Sequence, residues 1–122
     1  MANTEKPIYK QIVDYICYQI ISNHWKPFEK IPSIRELSVT MQVNPNTTFR
    51  AFEYIESWEI VYQKQGIGYY VSNGAREKIL EIYRKDFFEE TLPEIFSGML
   101  LYEIDLEEVN KAFIEYKSKL SQ

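Results

Sequence analysis

Features that mark secreted, metal-binding or membrane proteins are scarce in this chain of 122 residues. Cys17 is the only cysteine, so no disulfide can form within one chain. His24 is the only histidine, and no group of residues has the spacing of metal ligands or of catalytic side chains. The sequence therefore predicts that the protein binds no metal and is not an enzyme. No apolar run approaches the roughly 18 residues that a membrane-spanning helix needs, and residues 1–6 lack the layout of a secretory signal. Together these absences predict a cytoplasmic protein without cofactor, metal or membrane partner.

An excess of positive charge, which is common in nucleic-acid-binding proteins, is also missing. The net charge is −4 at pH 7. Residues 1–75 contain seven Lys or Arg and seven Asp or Glu, whereas residues 76–122 contain seven and eleven. The acidity therefore belongs to the second part of the chain. A neutral first part can still bind DNA if its positive charges share one face.

The first part has the pattern of three helices. Apolar residues at every fourth position predict a helix at about residues 8–22. Ser33 and Glu36 have the spacing of a capping box, which predicts the start of a second helix at about 34–41. Asn44 as N-cap, followed by proline at the first helical position, predicts a third helix that runs to about residue 58. About three residues separate the second and third helices, which is the length of a helix-turn-helix turn.

Two short β-like segments follow, at about residues 60–64 and 69–72. Between them lies a turn, QGIG at residues 65–68, in which two glycines are free to adopt positive φ. Two helices, a tight turn and a hairpin predict a winged helix. The fold class is therefore mainly α with a small β-hairpin, and we assign the winged helix-turn-helix domain to residues 1–74.

Residues 75–122 are expected to form a helical dimerisation tail. A charged amphipathic helix is predicted from about Ala75, Pro93 breaks or restarts it, and a capping box at Asp105 and Glu108 predicts a last helix of about 106–119. The tail is too short for an independent ligand-binding core. Its apolar residues exceed what so small a tail can bury alone, which predicts an interface with a second copy. On the first tail helix, the apolar residues that are expected to face inward are Ile79, Ile82, Tyr83 and Phe87.

Five sequence stretches between residues 7 and 71 stand in a specific order and at specific spacings, although each is weak alone. They are PIYKQI at 7–12, IPSIREL at 31–37, VNPNT at 43–47, RA at 50–51 and GIGYYV at 66–71. Together they resemble the DNA-binding domain of the GntR family, and the NPNT turn with the short tail is similar to the YtrA subfamily. The resemblance implies a homodimeric regulator, usually a repressor, that binds double-stranded operator DNA.

The same resemblance implies which residues contact DNA. Arg35 matches a DNA-contacting arginine, Arg50 matches a basic residue one turn along the recognition helix, and Gly66 matches the wing tip. The start of the recognition helix is matched by Asn44, Asn46 and Thr47. Asparagine and threonine side chains have the length to reach base edges, and arginine binds phosphates or guanine, so the chemistry agrees with these roles.

Each of these assignments has a structural alternative. Asn44 has the properties of a helix cap as well as of a DNA contact, and Arg35 has those of a solvated charge. Arg50 has two acidic partners within reach on its own or the preceding helix, Glu53 and Glu36. The wing glycines also suit hairpin geometry alone.

Two residues depart from the family pattern. Phe49 stands where a polar residue is usual, and either packs against the wing or a neighbouring helix, or touches a thymine methyl group. Glu59 stands where glycine is expected at the end of the third helix. Because that chain reversal commonly uses positive φ, we predict a strained Glu59; the alternative is an ending with negative φ.

A winged-helix module that binds proteins rather than DNA is the competing hypothesis, since fold does not decide function. The neutral charge of residues 1–75 favours it, and the set of Arg35, Asn46, Thr47 and Arg50 disfavours it. The operator, the regulated genes, any small-molecule effector and the choice between repression and activation are not encoded in a recognisable pattern.

Overall fold

The computed structural model describes residues 6–121, so residues 1–5, which bear on the predicted absence of a signal peptide, lie outside the described part. Contacts divide the chain into two compact units, with the division between Ile82 and Tyr83. No helix in the described part is long and apolar enough to cross a membrane. The elements are α1 (Ile8–Ile21), α2 (Ile34–Met41), α3 (Pro45–Ser57), β1 (Val61–Lys64), β2 (Gly68–Val71), α4 (Ala75–Asp86), the π-helical turn Phe87–Thr91, α5 (Leu92–Leu101) and α6 (Leu106–Leu120).

The first unit has a core built from one face of each of its helices. The apolar stripe of α1 packs against the buried face of α3, and the start of α4 contributes Ala75 and Ile79, which are 1% and 0% exposed. This arrangement confirms the mainly helical fold with a two-stranded antiparallel hairpin. The largest fully buried side chains include Ile12, Ile16, Ile20, Leu37, Phe52, Ile55, Ile60 and Val71.

Helix starts follow the predicted capping signals. Ser33 accepts a hydrogen bond from the backbone N–H of Glu36, whose side chain accepts one from the backbone N–H of Ser33, so the capping box of α2 is confirmed. Asp105 and Glu108 form the same reciprocal pair at the start of α6. These bonds occupy N–H groups that a helix otherwise leaves unsatisfied at its first turn.

The hairpin forms close to its predicted position. Lys64 pairs with Gly68 and Val61 with Val71, so three of the four strand ends differ from the predicted ranges by one residue. A third extended segment adds to the edge of β2: Lys30 forms a β-bridge with Tyr70, and the N–H of Ile31 donates to Tyr69 O over 3.0 Å. This segment lies between two prolines and has no alternating pattern, and the sequence interpretation missed it.

The helix after the hairpin contains a π-helical turn ahead of Pro93. The N–H of Leu92 donates to Phe87 O, five residues back, which is the bond of a π-helix rather than an α-helix. Proline lacks an N–H and its ring crowds the preceding turn, so the widened turn precedes a restarted helix, α5. The prediction that Phe87 faces inward is wrong for the single chain: Phe87 is 45% exposed and lies in the second unit, where no described residue is buried. Ile79 is buried, and Ile82 and Tyr83 are half-buried.

The second unit is helical and has no interior of its own. From Tyr83 to Ser121 no residue is buried. Large apolar side chains are nevertheless frequent there, and Leu100 is 84% exposed. This unit therefore lacks the hydrophobic core that the first unit has.

Candidate nucleic-acid interface

The turn between α2 and α3 is short and held by a buried polar contact. Gln42 ends α2 with φ of 55°, which reverses the chain direction. The hydroxyl groups of Ser38 and Thr48 share a hydrogen bond of 2.8 Å between the two helices, and both residues are buried. Because the interior surrounding them is apolar, this bond fixes how α3 lies against α2.

The N-terminus of α3 presents short polar side chains. Asn44 Oδ1 accepts a hydrogen bond of 2.8 Å from the backbone N–H of Asn46, so its predicted role as a cap is confirmed. Asn46 is exposed and Thr47 is half-buried, both in the first turn of the helix. An exposed first turn leaves backbone N–H groups and two hydrogen-bonding side chains accessible to a ligand.

Arg35 is exposed in the first turn of α2. Within residues 6–121 no hydrogen bond or ion pair involves its guanidinium group. The neighbouring Glu36 is occupied by its capping box, and hydrogen bonds from the backbone and side chain of Ser33 lower the pKa of its carboxyl group. Among the described residues, the charge of Arg35 therefore takes part in no hydrogen bond or ion pair that stabilises the fold.

Arg50 contacts an aromatic ring rather than either carboxylate that was given as the alternative to a DNA contact. Its guanidinium carbon lies 3.9 Å from the centre of the Tyr9 ring at the start of α1, and no ion pair with Glu53 or Glu36 occurs in the described part of the chain. Tyr9 in turn packs edge-on against Tyr54 at 6.0 Å. This cation–π contact holds the arginine against α1 and leaves its N–H groups accessible. Nothing local in the sequence signals it, because the partners lie on different helices.

The wing tip has the backbone geometry that its glycines permit. Gly66 has φ of 75° and is exposed, and Gly68 has φ of 137°. A Cβ atom at Gly68 would lie 3.0 Å from Lys30 Cε, so a side chain there would displace this lysine. Lys64 Nζ lies 4.5 Å from the centre of the Tyr70 ring. Two exposed lysines thus accompany the wing, and the sequence interpretation named neither.

The wing is joined to α3 through aromatic packing. The rings of Phe52 and Tyr69 lie edge-on with their centres 4.7 Å apart. Burial first, and then the negative charges of Glu56 and Glu53, raise the pKa of the Tyr69 hydroxyl. Phe52 is fully buried, so this contact links the hairpin to the hydrophobic core rather than to solvent.

Phe49 is unlike the other aromatic residues of α3. Its side chain is 49% exposed, and among the described residues its ring stacks on no other ring. About half of the side chain is therefore covered, and both alternatives given for Phe49, packing against the wing or a neighbouring helix and contact with a thymine methyl group, stay predictions. The structure thus places Asn46, Phe49 and Arg50 on the exposed half of α3, whereas no hydrogen bond or ion pair within the described range joins Arg35 or Gly66 to them.

Known sequences that are similar to this chain belong to transcriptional regulators. The family model for bacterial regulatory proteins of the gntR family matches residues 8–71. The HTH-type transcriptional regulator YhcF of Bacillus subtilis is 38% identical over 72 residues, which are 59% of this chain and 60% of that protein. The HTH-type transcriptional repressor YtrA of the same organism is 29% identical over 105 residues, 86% of this chain and 80% of that protein.

Solved structures show the same fold. A transcriptional regulator of the GntR family from Bacteroides thetaiotaomicron has a TM-score of 0.77 at 33% identity, covering 93% of this chain and 99% of that one. A GntR family regulator from Listeria monocytogenes has a TM-score of 0.73 at 31% identity, covering 94% and 98%. BusR of S. agalactiae, solved in complex with its busA-promotor DNA, shares the fold with a TM-score of 0.60 at 19% identity, covering 93% and 54%.

The family model thus spans more than half of the chain, and its matched segment contains the helix-turn-helix and the hairpin described above. The chain belongs to the GntR family, as a YtrA-like transcriptional regulator with a winged helix-turn-helix DNA-binding domain.

Proposed function

We propose that this protein binds operator DNA as a homodimer and represses transcription. The observation that carries the proposal is the exposed polar first turn of α3, held by the Asn44 cap and by the Ser38–Thr48 hydrogen bond. A recognition helix reads base edges in the major groove with residues near its N-terminus. Repression is supported by the name of YtrA, a transcriptional repressor.

Six residues make the proposed DNA contact, and they have four kinds of role. Asn46 and Thr47 read base edges, for which asparagine suits adenine. Asn44 contributes its amide N–H groups beside the phosphate-attracting helix N-terminus. Arg35 and Arg50 bind phosphate or guanine, and Gly66 lets the backbone of the wing approach the groove.

Dimerisation is supported by the composition of the second unit. From Tyr83 to Ser121 no residue is buried, although leucine, isoleucine and aromatic side chains are frequent. Large exposed apolar surfaces of this kind mark protein interfaces. A second copy satisfies them with a two-fold contact that also supplies two DNA-binding domains for two half-sites. Residues 1–74 are the proposed DNA-binding domain and residues 75–122 the proposed dimerisation tail, in which the surface offered to a second copy begins at Tyr83, after the part of α4 that packs on the first unit.

Fluorescence anisotropy with the full chain tests the proposal. The DNA is a labelled duplex from upstream of its own gene, and the control is a duplex of the same composition with shuffled sequence. We expect the protein to bind the upstream duplex at least about 1,000-fold more tightly than the shuffled duplex. This factor is the lower end of the range by which specific DNA binding exceeds non-specific binding. Equal affinity for both duplexes contradicts operator binding, and a reporter gene that the protein does not silence contradicts repression.

A protein-interaction module without DNA binding is the second candidate. The observation that favours it is the balance of seven basic and seven acidic residues in positions 1–75. Under that hypothesis neither duplex binds at physiological salt, so the same anisotropy experiment distinguishes the two functions.

A further inference from the structure

The recognition helix has an apolar side chain on its exposed half that the core does not need. The buried face of α3 consists of Thr48, Ala51, Phe52 and Ile55, each 0% exposed. Phe49 lies outside this face and is 49% exposed. An exposed phenylalanine leaves a large apolar area in water, so it gains free energy if a partner covers it.

Its position matches that of the residues proposed to read bases. Phe49 follows Asn46 by three residues, so the two side chains are neighbours on the helix surface, one turn apart. Asn46 is in the first turn, and Phe49 is therefore one turn deeper along the same side of the helix. When α3 lies in a major groove, Phe49 faces the base pair next to the one that Asn46 faces.

The major groove offers one kind of apolar group. Thymine carries a C5 methyl group there, whereas the other edges of the four base pairs present hydrogen-bond donors and acceptors. A phenyl ring forms no hydrogen bond with those polar edges and would desolvate them at a cost. The chemistry of Phe49 therefore selects thymine.

We propose that Phe49 is a specificity-determining residue that contacts the C5 methyl group of a thymine in the operator, beside an adenine read by Asn46. This inference rests on the proposed operator binding. It predicts that each half-site contains at least one thymine whose methyl group, rather than its base pairing, is recognised.

Replacement of thymine by deoxyuridine isolates the methyl group, because the two bases pair identically. The probe is a duplex recovered by the full chain from a pool of random sequence, in which each thymine is replaced in turn. At the contacted position we expect affinity to fall by about three- to five-fold, as for one methyl group removed from contact. The same replacement is expected to have no effect on binding by Phe49→Ala.

A matched control is Tyr18→Ala. This variant removes an exposed aromatic ring of α1, which packs edge-on against the ring of His24. This variant should keep the full effect of deoxyuridine. A second selection with Phe49→Ala should lose the preference for thymine at the same position and retain the remaining consensus. Thermal unfolding checks that the variant folds.

Two results overturn the inference. One is a wild-type protein that binds the selected duplex equally well after every replacement. The other is an effect of deoxyuridine that persists in Phe49→Ala; if that variant has also lost the dimer, Phe49 belongs to a protein contact. If the chain selects no duplex at all, the proposed function fails as well, so the two failures are distinguishable.

Discussion

Helices α1, α2, α3 and α5 are each followed by a residue with positive φ that is not glycine. At the end of α3 the N–H of Ile60 donates to Ile55 O and the N–H of Glu59 to Glu56 O, the paired bonds of a Schellman motif. The ends of the other three helices have the same bond to the residue five positions back. The residues concerned, with φ between 53° and 65°, are Asn23, Gln42, Glu59 and Glu103.

Glu59 is the residue at which this strain can be measured most directly. Its predicted positive φ is confirmed at 60°. Glu59→Gly removes the Cβ strain of roughly 1–2 kcal/mol. Two effects oppose this gain, each worth less than about 1 kcal/mol: glycine raises the entropy of the unfolded chain, and the exposed ion pair of 3.2 Å with Lys78 is lost. We expect a net gain of about 0.5 kcal/mol in the free energy of unfolding, measured by denaturant titration.

The control for Glu59→Gly is Glu59→Ala. Both variants lose the carboxylate and its ion pair, but alanine keeps the Cβ atom. The glycine variant should therefore be more stable than the alanine variant by about 1 kcal/mol. An alanine variant as stable as the glycine variant refutes the strain, whatever the wild-type value.

The two arginines of the helix-turn-helix provide a prediction on DNA affinity. Replacing Arg35 or Arg50 by Ala should weaken operator binding by about 1–3 kcal/mol. If each binds a phosphate, binding to unrelated DNA should weaken similarly, and the slope of log affinity against log salt should decrease by about one unit. Anisotropy titrations at several salt concentrations measure both quantities.

Arg84→Ala is the matched control for these arginines. Arg84 also lies over an aromatic ring, at 5.9 Å from the centre of Phe88, but in the second unit. This variant removes the same charge outside the proposed DNA contact. Because Arg84 lies in the proposed dimerisation tail, sedimentation is used to check that the variant is still a dimer, and its operator affinity should then be unchanged. Unaltered affinity in both Arg35→Ala and Arg50→Ala would disprove their assignment.

At the scale of the elements, helix boundaries depend on local side-chain bonds. The capping box of α2 joins the backbone N–H of Ser33 to the carboxylate of Glu36 over 3.0 Å. These bonds favour the ionised carboxylate and lower its pKa. Arg35 lies in the same first turn of α2, so the hydrogen bonds of the capping box also fix the position of its backbone.

Glu36→Gln tests the contribution of the box to the pH dependence of stability. A lowered pKa in the folded state means that Glu36 stabilises fully above its unfolded-state pKa and loses this contribution as pH falls through the folded-state pKa. The wild type should therefore lose more stability than the variant between pH 7 and pH 3. Urea titrations at both pH values measure the difference, and identical losses in the two proteins would contradict it.

Local signals allowed α1, α2, α3 and the hairpin to be predicted from the sequence, because caps, prolines and apolar periodicity act within a few residues. The third extended segment was missed because its pairing partner, Tyr70, is far along the chain from Lys30. The contact between Arg50 and Tyr9 was missed for the same reason. The exposure of Phe87 was mispredicted because periodicity shows which side of a helix is apolar, but not whether another element covers that side. The roles of the six DNA-contact residues stay predictions.

At the scale of the whole molecule, the two units differ in how much of their apolar surface they bury. The first buries residues such as Ile12, Phe52 and Ile79 completely. The second leaves Leu100 at 84% and Leu106 at 71% exposed. A chain of this size buries a limited fraction of its surface, so association adds stability that the second unit cannot obtain alone.

Leu100→Glu tests whether a second copy covers this surface. In a monomer the change affects an exposed side chain and should alter folding little, whereas in a dimer it places a charge at an apolar interface. We expect the wild type to sediment at twice its mass of 14.6 kDa at micromolar concentration. The dissociation constant of the variant dimer should be higher by at least about 100-fold, because the homodimer loses two buried leucines, one from each subunit.

Tyr18→Glu, which places the same charge on an exposed apolar site of the first unit, should leave the dimer intact. Substitution is preferable to truncation at Gly74, because Ala75 and Ile79 belong to the core of the first unit. Operator affinity should fall with the dimer in Leu100→Glu, since linked domains bind two half-sites at a high effective concentration and separate domains do not. A wild-type chain that sediments as a monomer contradicts the dimer. A monomeric Leu100→Glu that binds the operator as tightly as the wild type contradicts the need for two half-sites.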